Sequence, residues 1–274
     1  MNTTLIIATY NSPDKLQLCL KSVLRQTIMP TEVIIADDGS TEETRQLIDC
    51  LRPQFRVPLV HLWHEDRGFR LAAIRNRAIA QATGDYVIQI DGDIILNRYF
   101  VADHIRFASP GYVVLGSRSK LSEVKTKDVL SHDDFEPGLF TYGLERRDSA
   151  LRCPLISPLF FGNRHTVGCN MAFWLCDLLA VNGYDEAFEG WGHEERDLVL
   201  RLQMIGIKKR KLKFAAIQYH LWHHEQSREN VERNAQIIAM RKKSGVSWVS
   251  DGIIKKPKKA TLDKRALDKA TPSL

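Results

Sequence analysis

The stretch Tyr86-Val87-Ile88-Gln89-Ile90-Asp91-Gly92-Asp93 constrains this chain more than any other. Val87, Ile88 and Ile90 are β-branched and read as a central strand buried on both faces. The strand ends abruptly in two carboxylates separated by a glycine. Open α/β sheets keep their ligand crevice outside the carboxyl ends of the strands, and this strand delivers Asp91 and Asp93 there. Residues two apart on an extended chain point the same way, so the pair can share one hard divalent cation. Gly92 lets a ligand approach the backbone. Such an ion is usually held by one or two carboxylates plus substrate phosphates, which makes a metal–diphosphate site the functional reading. The bland alternative is a plain Asp-Gly turn.

The preceding residues supply the frame for that strand. Thr4 to Thr9 reads as a first buried strand, and Ser12-Pro13-Asp14 as the start of a helix with Leu16, Cys19, Leu20, Val23 and Leu24 at helical spacing. Val33 to Ala36 is a second strand ending in Asp37-Asp38-Gly39-Ser40. Ser40 and Glu43 have capping-box spacing for a helix carrying Leu47, Ile48 and Leu51. Val57 to Trp63 supplies a third strand, and Arg70 to Ala82 a helix rich in Ala and Arg. Strands alternating with helices in this way predict an α/β fold with a doubly wound, mostly parallel sheet. Thr9, Tyr10, Asn11, Asp38, Asp91 and Asp93 all follow strand ends and should gather at one rim. That convergence suits a nucleotide: flat contacts for a base, a carboxylate for base or ribose, and a cation for the diphosphate. A Gly-x-Gly-x-x-Gly after the first strand and a Gly-Lys-Ser/Thr phosphate loop are both absent, so a dinucleotide oxidoreductase and a P-loop enzyme fit poorly.

Residues 3–100, with Thr9-Tyr10-Asn11, Ala36-Asp37-Asp38-Gly39-Ser40, Arg75-Asn76, Gly84-Asp85-Tyr86 and the Asp-x-Asp, resemble the nucleotide-sugar half of a family 2 glycosyltransferase with the GT-A fold. The resemblance implies that Thr9, Tyr10, Asn11 and Asp38 contact uracil and ribose. It also implies that Arg70 or Arg75 lies near the diphosphate, with Asp91 and Gly92 beside it. A solvated helix surface is the bland reading of both arginines.

From Ser117 to Arg152 the hydrophobic pattern weakens and Pro137-Gly138 breaks the run, which reads as a long loop. The pattern sharpens again at Gly168-Cys169-Asn170-Met171, Asn182-Gly183-Tyr184-Asp185 and Gly190-Trp191-Gly192-His193-Glu194-Glu195. This succession resembles the carboxy-terminal part of β-1,4-galactosyltransferase and chondroitin-polymerase type enzymes. The family's general base is the second acid of a Glu-Asp pair, which maps to Glu195, while Glu194 would hold acceptor hydroxyls. This chain has Glu where the family has Asp, one methylene longer. Asn170, Trp191 and Gly192 would contact the donor or acceptor sugar. Read without the family, Glu194, Glu195 and Asp197 are first-turn acids favoured by a helix dipole, and Leu198, Leu200 and Leu202 pack beneath them.

Phe214 to Tyr219 reads as an edge strand, followed by His220-Leu221-Trp222-His223-His224. Neutral imidazole is a good ligand for Mn²⁺ and softer ions. The resembled enzymes place a further metal ligand here, which implies His223 first and His220 second, completing a set with Asp91 and Asp93. His224 is read as a neighbour of the ion site or a solvent residue.

At 274 residues, with ordinary apolar and charged fractions, the chain is one large domain or two small ones. We divide it into a nucleotide-sugar-binding half at 1–115, an acceptor-binding and catalytic half of the same domain at 116–240, and a basic tail at 241–274. From Lys242 onward eight Lys and one Arg face three Asp, a local +6 that equals the formal charge of the whole chain. Such a tail is most simply solvated and partly disordered, with peripheral contact to a membrane surface as an option. Five cysteines without metal-ligand spacing, no secretory signal and no spanning apolar run suggest a cytoplasmic protein, with a peripheral place at the inner face of the membrane as the variant of that reading.

Together these features predict a Mn²⁺- or Mg²⁺-dependent inverting glycosyltransferase. Its partners would be a UDP-sugar donor and a glycan or lipid-linked glycan acceptor, not nucleic acid. A sugar nucleotidyltransferase and a catalytically silent sugar- or nucleotide-binding subunit are the alternatives. The first would show a Gly-rich basic signature where Thr9-Tyr10-Asn11 stands. The second is opposed by the intact acidic and histidine residues.

Overall fold

A computed structural model describes residues 1–132, 135–162, 168–224 and 229–255. The distal part of the basic tail, 256–274, lies outside the described residues.

The first strands form where uninterrupted β-branched and apolar residues leave no polar face. These are β1 (Thr3–Thr9), β2 (Glu32–Asp37) and β4 (Tyr86–Asp91), joined by β3 (Leu59–Trp63). Between them run α1 (Pro13–Leu24), α2 (Glu42–Leu51) and α3 (Leu71–Gln81). Alternation along β1 sends Leu5 and Ile7 to one side and Ile6 to the other. Leu16, Cys19, Leu20 and Val23 of α1 belong to the first core. Ile74, Ala78 and Ile79 of α3 belong to the second. Each such side chain removed from water contributes about 1.5–3 kcal/mol, so a strand with two apolar faces holds two helical layers at once.

The chain then forms β5 (Ile94–Leu96), α4 (Phe100–Phe107), β6 (Tyr112–Leu115), β7 (Ser117–Leu121), α5 (Glu123–Leu130) and β8 (Leu144–Glu145). It continues through β9 (Asn170–Trp174), α6 (Leu175–Ala180), α7 (Glu194–Met204), β10 (Lys208–Lys211), β11 (Ile217–His220) and α8 (Val231–Ser244). The main sheet has the order β10-β6-β9-β4-β1-β2-β3. It is parallel from β4 to β3 and between β10 and β6, with β9 antiparallel to β4 and β6. β9 and β10 lie beyond residue 115, so this sheet draws on both sequence halves. A smaller sheet runs β5-β11-β7-β8. The Asp91-Gly92-Asp93 turn is the hinge between the two: β4 ends at Asp91 and β5 begins at Ile94. His220 pairs with Ile94 across β11 and β5, which brings the histidine segment to Asp93.

Three local expectations need correction. The 117–152 loop contains β7, α5 and β8. Its alternation is hidden because Ser117 and Ser119 occupy the buried positions, their hydroxyls donating to the carbonyls of Leu212 (3.2 Å) and Arg146 (3.1 Å). The expected edge strand at 214–219 is β11, and it is interior, flanked by β5 and β7. The Ser40 capping box does not form. Thr41 is the N-cap of α2, and the Ser40 hydroxyl instead accepts the Asn11 backbone N–H at 2.9 Å. Among the described residues no helix is long and apolar enough to cross a membrane.

Candidate active site

Parallel pairing of β1, β2 and β4 places the residues after them along one rim, as their sequence positions require. Thr9 is buried, Tyr10 is exposed at 47%, and Asn11 takes a left-handed φ of 43°. The Asn11 side-chain oxygen accepts the Thr41 N–H at 2.9 Å, so this residue also shapes the turn. The Tyr10 hydroxyl donates to Asp66 at 2.9 Å, holding the ring upright at the rim. Asp38 is buried; one oxygen meets His64 Nε2 at 2.6 Å and the other accepts the Arg70 backbone N–H at 2.9 Å. Burial raises its pKa, against the pull of His64 and Arg70. A second such pair joins His61 and Asp37 at 2.9 Å. Sequence reading missed both histidines, because each pairing crosses to a neighbouring strand and leaves no local pattern.

Asp93, His220 and His223 converge so that one ligand atom from each lies within 4.8 Å of the others. His223 Nε2 stands 3.1 Å from Asp93 Oδ2, and His220 Nε2 stands 3.5 Å from it. Burial alone would raise the Asp93 pKa, but the two imidazoles outweigh it and hold the carboxylate below its ordinary value. Burial lowers His220, while the hydrogen bond to Asp93 raises His223. Asp93 Oδ1 is buried with no hydrogen-bond partner. A buried carboxylate oxygen without a donor, beside two imidazoles, fits a divalent cation, and the mixed N/O set suits Mn²⁺ better than Mg²⁺. His224 is not in this cluster; its backbone carbonyl meets His223 Nδ1 at 2.7 Å.

Asp91 goes elsewhere. Its Oδ1 accepts Arg75 Nη2 at 2.9 Å, while Arg75 Nη1 lies 3.0 Å from Glu195 Oε1 and 3.7 Å from Glu194 Oε1. The two acids of the Asp-Gly-Asp therefore divide their work. Asp93 faces the histidines, and Asp91 joins an arginine that reaches the paired glutamates. Partial burial raises the Asp91 pKa, opposed by Arg75 and assisted by Asp93. Arg75 has no exposed side-chain surface, so it is neither a solvated helix residue nor open to the diphosphate directly. Burial disfavours its charge, but Tyr184, Glu195, Asp91 and Glu194 together keep it protonated. Arg70, the other candidate arginine, donates from Nη2 to the Glu65 carbonyl at 2.6 Å and braces the 65–70 turn.

Glu194 and Glu195 open α7, where the helix N-terminus favours negative charge. Gly192 (φ 106°) and His193 (φ 80°) make the left-handed turn that aims them inward. Glu194 is buried, its Oε2 has no partner, and its pKa is raised well above normal by burial and then by Glu195. Glu195 is more open, with 18% of its side chain exposed. Its carboxylate packs directly on Gly168, where any Cβ would overlap it. Sequence reading noted Gly168 without this role, since the contact spans the fold.

Trp191 is exposed at 43%, beside Gly192. Asn170 is not available: it is 1% exposed, its Oδ1 meets His104 Nε2 at 2.9 Å, and its Nδ2 donates to the carbonyls of Ser117 (3.1 Å) and Ala216 (3.0 Å). Its polarity is spent on joining the two sheets, which corrects the expectation of a sugar contact. The glycine–tryptophan loop is pinned from outside by Asn234 of α8, which donates to the carbonyls of Gly192 (2.9 Å) and Glu189 (3.3 Å).

With this geometry in place, the comparisons with known proteins have a physical counterpart. The family model described as "Glycosyl transferase family 2" matches residues 4–167, and "N-terminal domain of galactosyltransferase" matches residues 160–225. Validoxylamine A glucosyltransferase of Streptomyces hygroscopicus subsp. limoneus is 27% identical over 220 residues, covering 74% of this chain and 48% of that protein. Chondroitin synthase of Escherichia coli is 24% identical over 240 residues, covering 79% of this chain and 34% of that one. The chain thus spans about half, or less, of the length of these relatives. Among solved structures, S. aureus TarS 1-349 in complex with UDP superposes with a TM-score of 0.58 at 19% identity, covering 88% of this chain and 65% of that one. That likeness shows a shared GT-A fold. The family match, across more than half of the sequence, shows the rest: this chain belongs to glycosyl transferase family 2.

Proposed function

We propose that this chain transfers a sugar from a UDP-sugar to a hydroxyl of a glycan acceptor, with inversion at the anomeric carbon. The observation that carries the reading is the continuous run from Asp93, His220 and His223 through Asp91 and Arg75 to Glu195. That run supports a reading in which a cation-ligand cluster and a carboxylate base serve one donor–acceptor pair, beside the strand ends that carry Thr9, Tyr10, Asn11 and Asp38. A divalent cation held by Asp93, His220 and His223 would neutralise the donor diphosphate. The relatives support a nucleotide-sugar donor: TarS was solved with UDP.

Glu195 takes the proton from the acceptor hydroxyl as its oxygen bonds to the anomeric carbon. The bond from that carbon to the β-phosphate oxygen breaks, and its electron pair leaves with UDP. Arg75 fixes the orientation of the Glu195 carboxylate, and Gly168 gives it room. Glu194, with its raised pKa and free buried oxygen, keeps its proton more readily and is suited to hold an acceptor hydroxyl. Trp191 offers a ring face to the sugar, and Tyr10 offers one to the base. An α-linked donor then gives a β-linked product.

The test is UDP release from a panel of UDP-sugars with Mn²⁺, with Mg²⁺ and with EDTA, beside the Asp93→Asn and Glu195→Gln variants. Cation-dependent release from one donor, lost in Asp93→Asn, is the expected result. Glu195→Gln should bind UDP normally yet transfer at least about a hundredfold more slowly. No cation-dependent UDP binding by the intact chain would overturn the proposal.

A further inference from the structure

Beside the cation-ligand cluster, the small sheet carries a second set of charges that the proposed reaction does not use. Strand β7 lies beside β11, with Arg118 opposite Gln218 and Lys120 opposite His220. Residues two apart on a strand share a face, and paired residues share it across the ladder. Arg118 and Lys120 therefore stand on the same face of the small sheet as His220 of the cation-ligand cluster. Arg118 Nη1 reaches the thiol sulfur of Cys169 at 3.4 Å. The neighbour of Cys169 is Gly168, on which the Glu195 carboxylate packs. The arginine thus spans from the histidines toward the base.

Two further cations border this pair. Lys211, at the end of β10, donates its ammonium to the Gly116 carbonyl. Arg146 follows β8, whose Glu145 pairs with Lys120 in register. None of the four cations forms an ion pair among the described residues, and Arg118 Nε is buried without a hydrogen-bond partner. Burial pushes Lys211 down to about 8, and Arg118 and Arg146 push the same way against Cys169. Gathering like charges in a half-buried place without an ion-pair partner costs stability. An arginine fork with ammonium groups beside it is the usual receptor for a carboxylate or a phosphate.

We propose that Arg118 and Lys120, flanked by Lys211 and Arg146, form a subsite for a carboxylate or phosphate group carried by the acceptor sugar. The assignment rests on the glycosyltransferase reading and adds the charge class of the acceptor to it. The acceptor is favoured over the donor by position. β11 separates β7 from β5 and the Asp93 turn, whereas Thr9, Tyr10 and Asp38 lie at the tips of the main sheet.

The experiment uses the full chain with UDP and Mn²⁺, titrated by NMR with methyl β-glucuronide, glucose 6-phosphate and methyl β-glucoside. The anionic sugars should bind about tenfold more tightly than the neutral one. Arg118→Gln should remove that preference. Arg146→Gln, at an exposed position where folding is not at risk, should narrow it. Equal binding of charged and neutral sugars by the unaltered chain, or a preference that survives in both variants, overturns the proposal. A preference for UDP-glucuronate over UDP-glucose that Arg118→Gln erases puts the anion on the donor and overturns the acceptor assignment. UDP affinity, read in the same samples, reports separately on the underlying reading, because its loss would strike the donor half and not this subsite.

Discussion

At the scale of single residues, the site depends on contacts that tolerate little change. Gly168 is the sharpest case, since a methyl group there meets the Glu195 carboxylate. Gly168→Ala should leave the fold and UDP binding intact and lower the transfer rate by about 10² fold, measured by steady-state kinetics with the donor that the panel identifies. His104 offers a test by pH. It is fully buried and neutral, bonded to Asn170, and burial pushes its pKa down to about 4. Above the ordinary value near 6.5 both folded and unfolded states hold it neutral. Between 6.5 and 4 the unfolded chain takes up a proton that the folded one refuses, so stability falls as pH falls through that window. The loss is on the order of 3 kcal/mol. His104→Gln should lack this part of the acid limb when urea melts are compared at pH 7 and pH 4.5. An identical acid limb in both proteins would overturn the assignment.

At the scale of elements, α8 acts on the active-site loop from outside. Asn234 is buried and bonds the Gly192 and Glu189 carbonyls, while Arg241 reaches Asp197 at 3.1 Å and also pairs with Asp185. Asp197 in turn holds Arg201 at 2.6 Å, both fully buried, on the helix that begins with the two glutamates. Asn234→Ala should cost about 1–3 kcal/mol in thermal or urea unfolding, and should lower kcat more than UDP affinity. Equal loss of both would mean that α8 supports the fold as a whole and not the loop. Legibility also varied by element. α1 announces itself because one apolar stripe faces the sheet. β7 does not, because its inward positions are serines whose hydroxyls are satisfied by carbonyls brought from Leu212 and Arg146. The interior place of β11 was equally hidden, since its partners β5 and β7 come from remote parts of the chain.

At the scale of the whole molecule, the cluster at the junction of the two sheets links ligand binding to stability. A cation bound only by the folded state stabilises it by about 2.7 kcal/mol at a hundred times its Kd. Mn²⁺ should therefore raise the Tm of the intact chain, with EDTA reversing the shift, and Asp93→Asn with His223→Ala should abolish it. A Tm indifferent to Mn²⁺ would sink the cation assignment without reference to activity. The sequence by itself determined the parallel α/β frame, because strands apolar on both faces and helices apolar on one can be buried in few other ways. It also determined which strand ends carry polar residues. Only the tertiary structure decided how those residues are partnered. The spacing of Asp91 and Asp93 predicts one ligand pair, yet a change of sheet at Gly92 sends one to Arg75 and the other to the histidines. Asn170, which the family resemblance puts at a sugar, is a buried clasp between the sheets. The physical reason is one of range. Burial preference is a property of each residue and its near neighbours, whereas hydrogen-bond and ion-pair partners across 16 positions for Arg75 and Asp91, or 120 for Arg75 and Glu195, exist only once the chain has closed on itself.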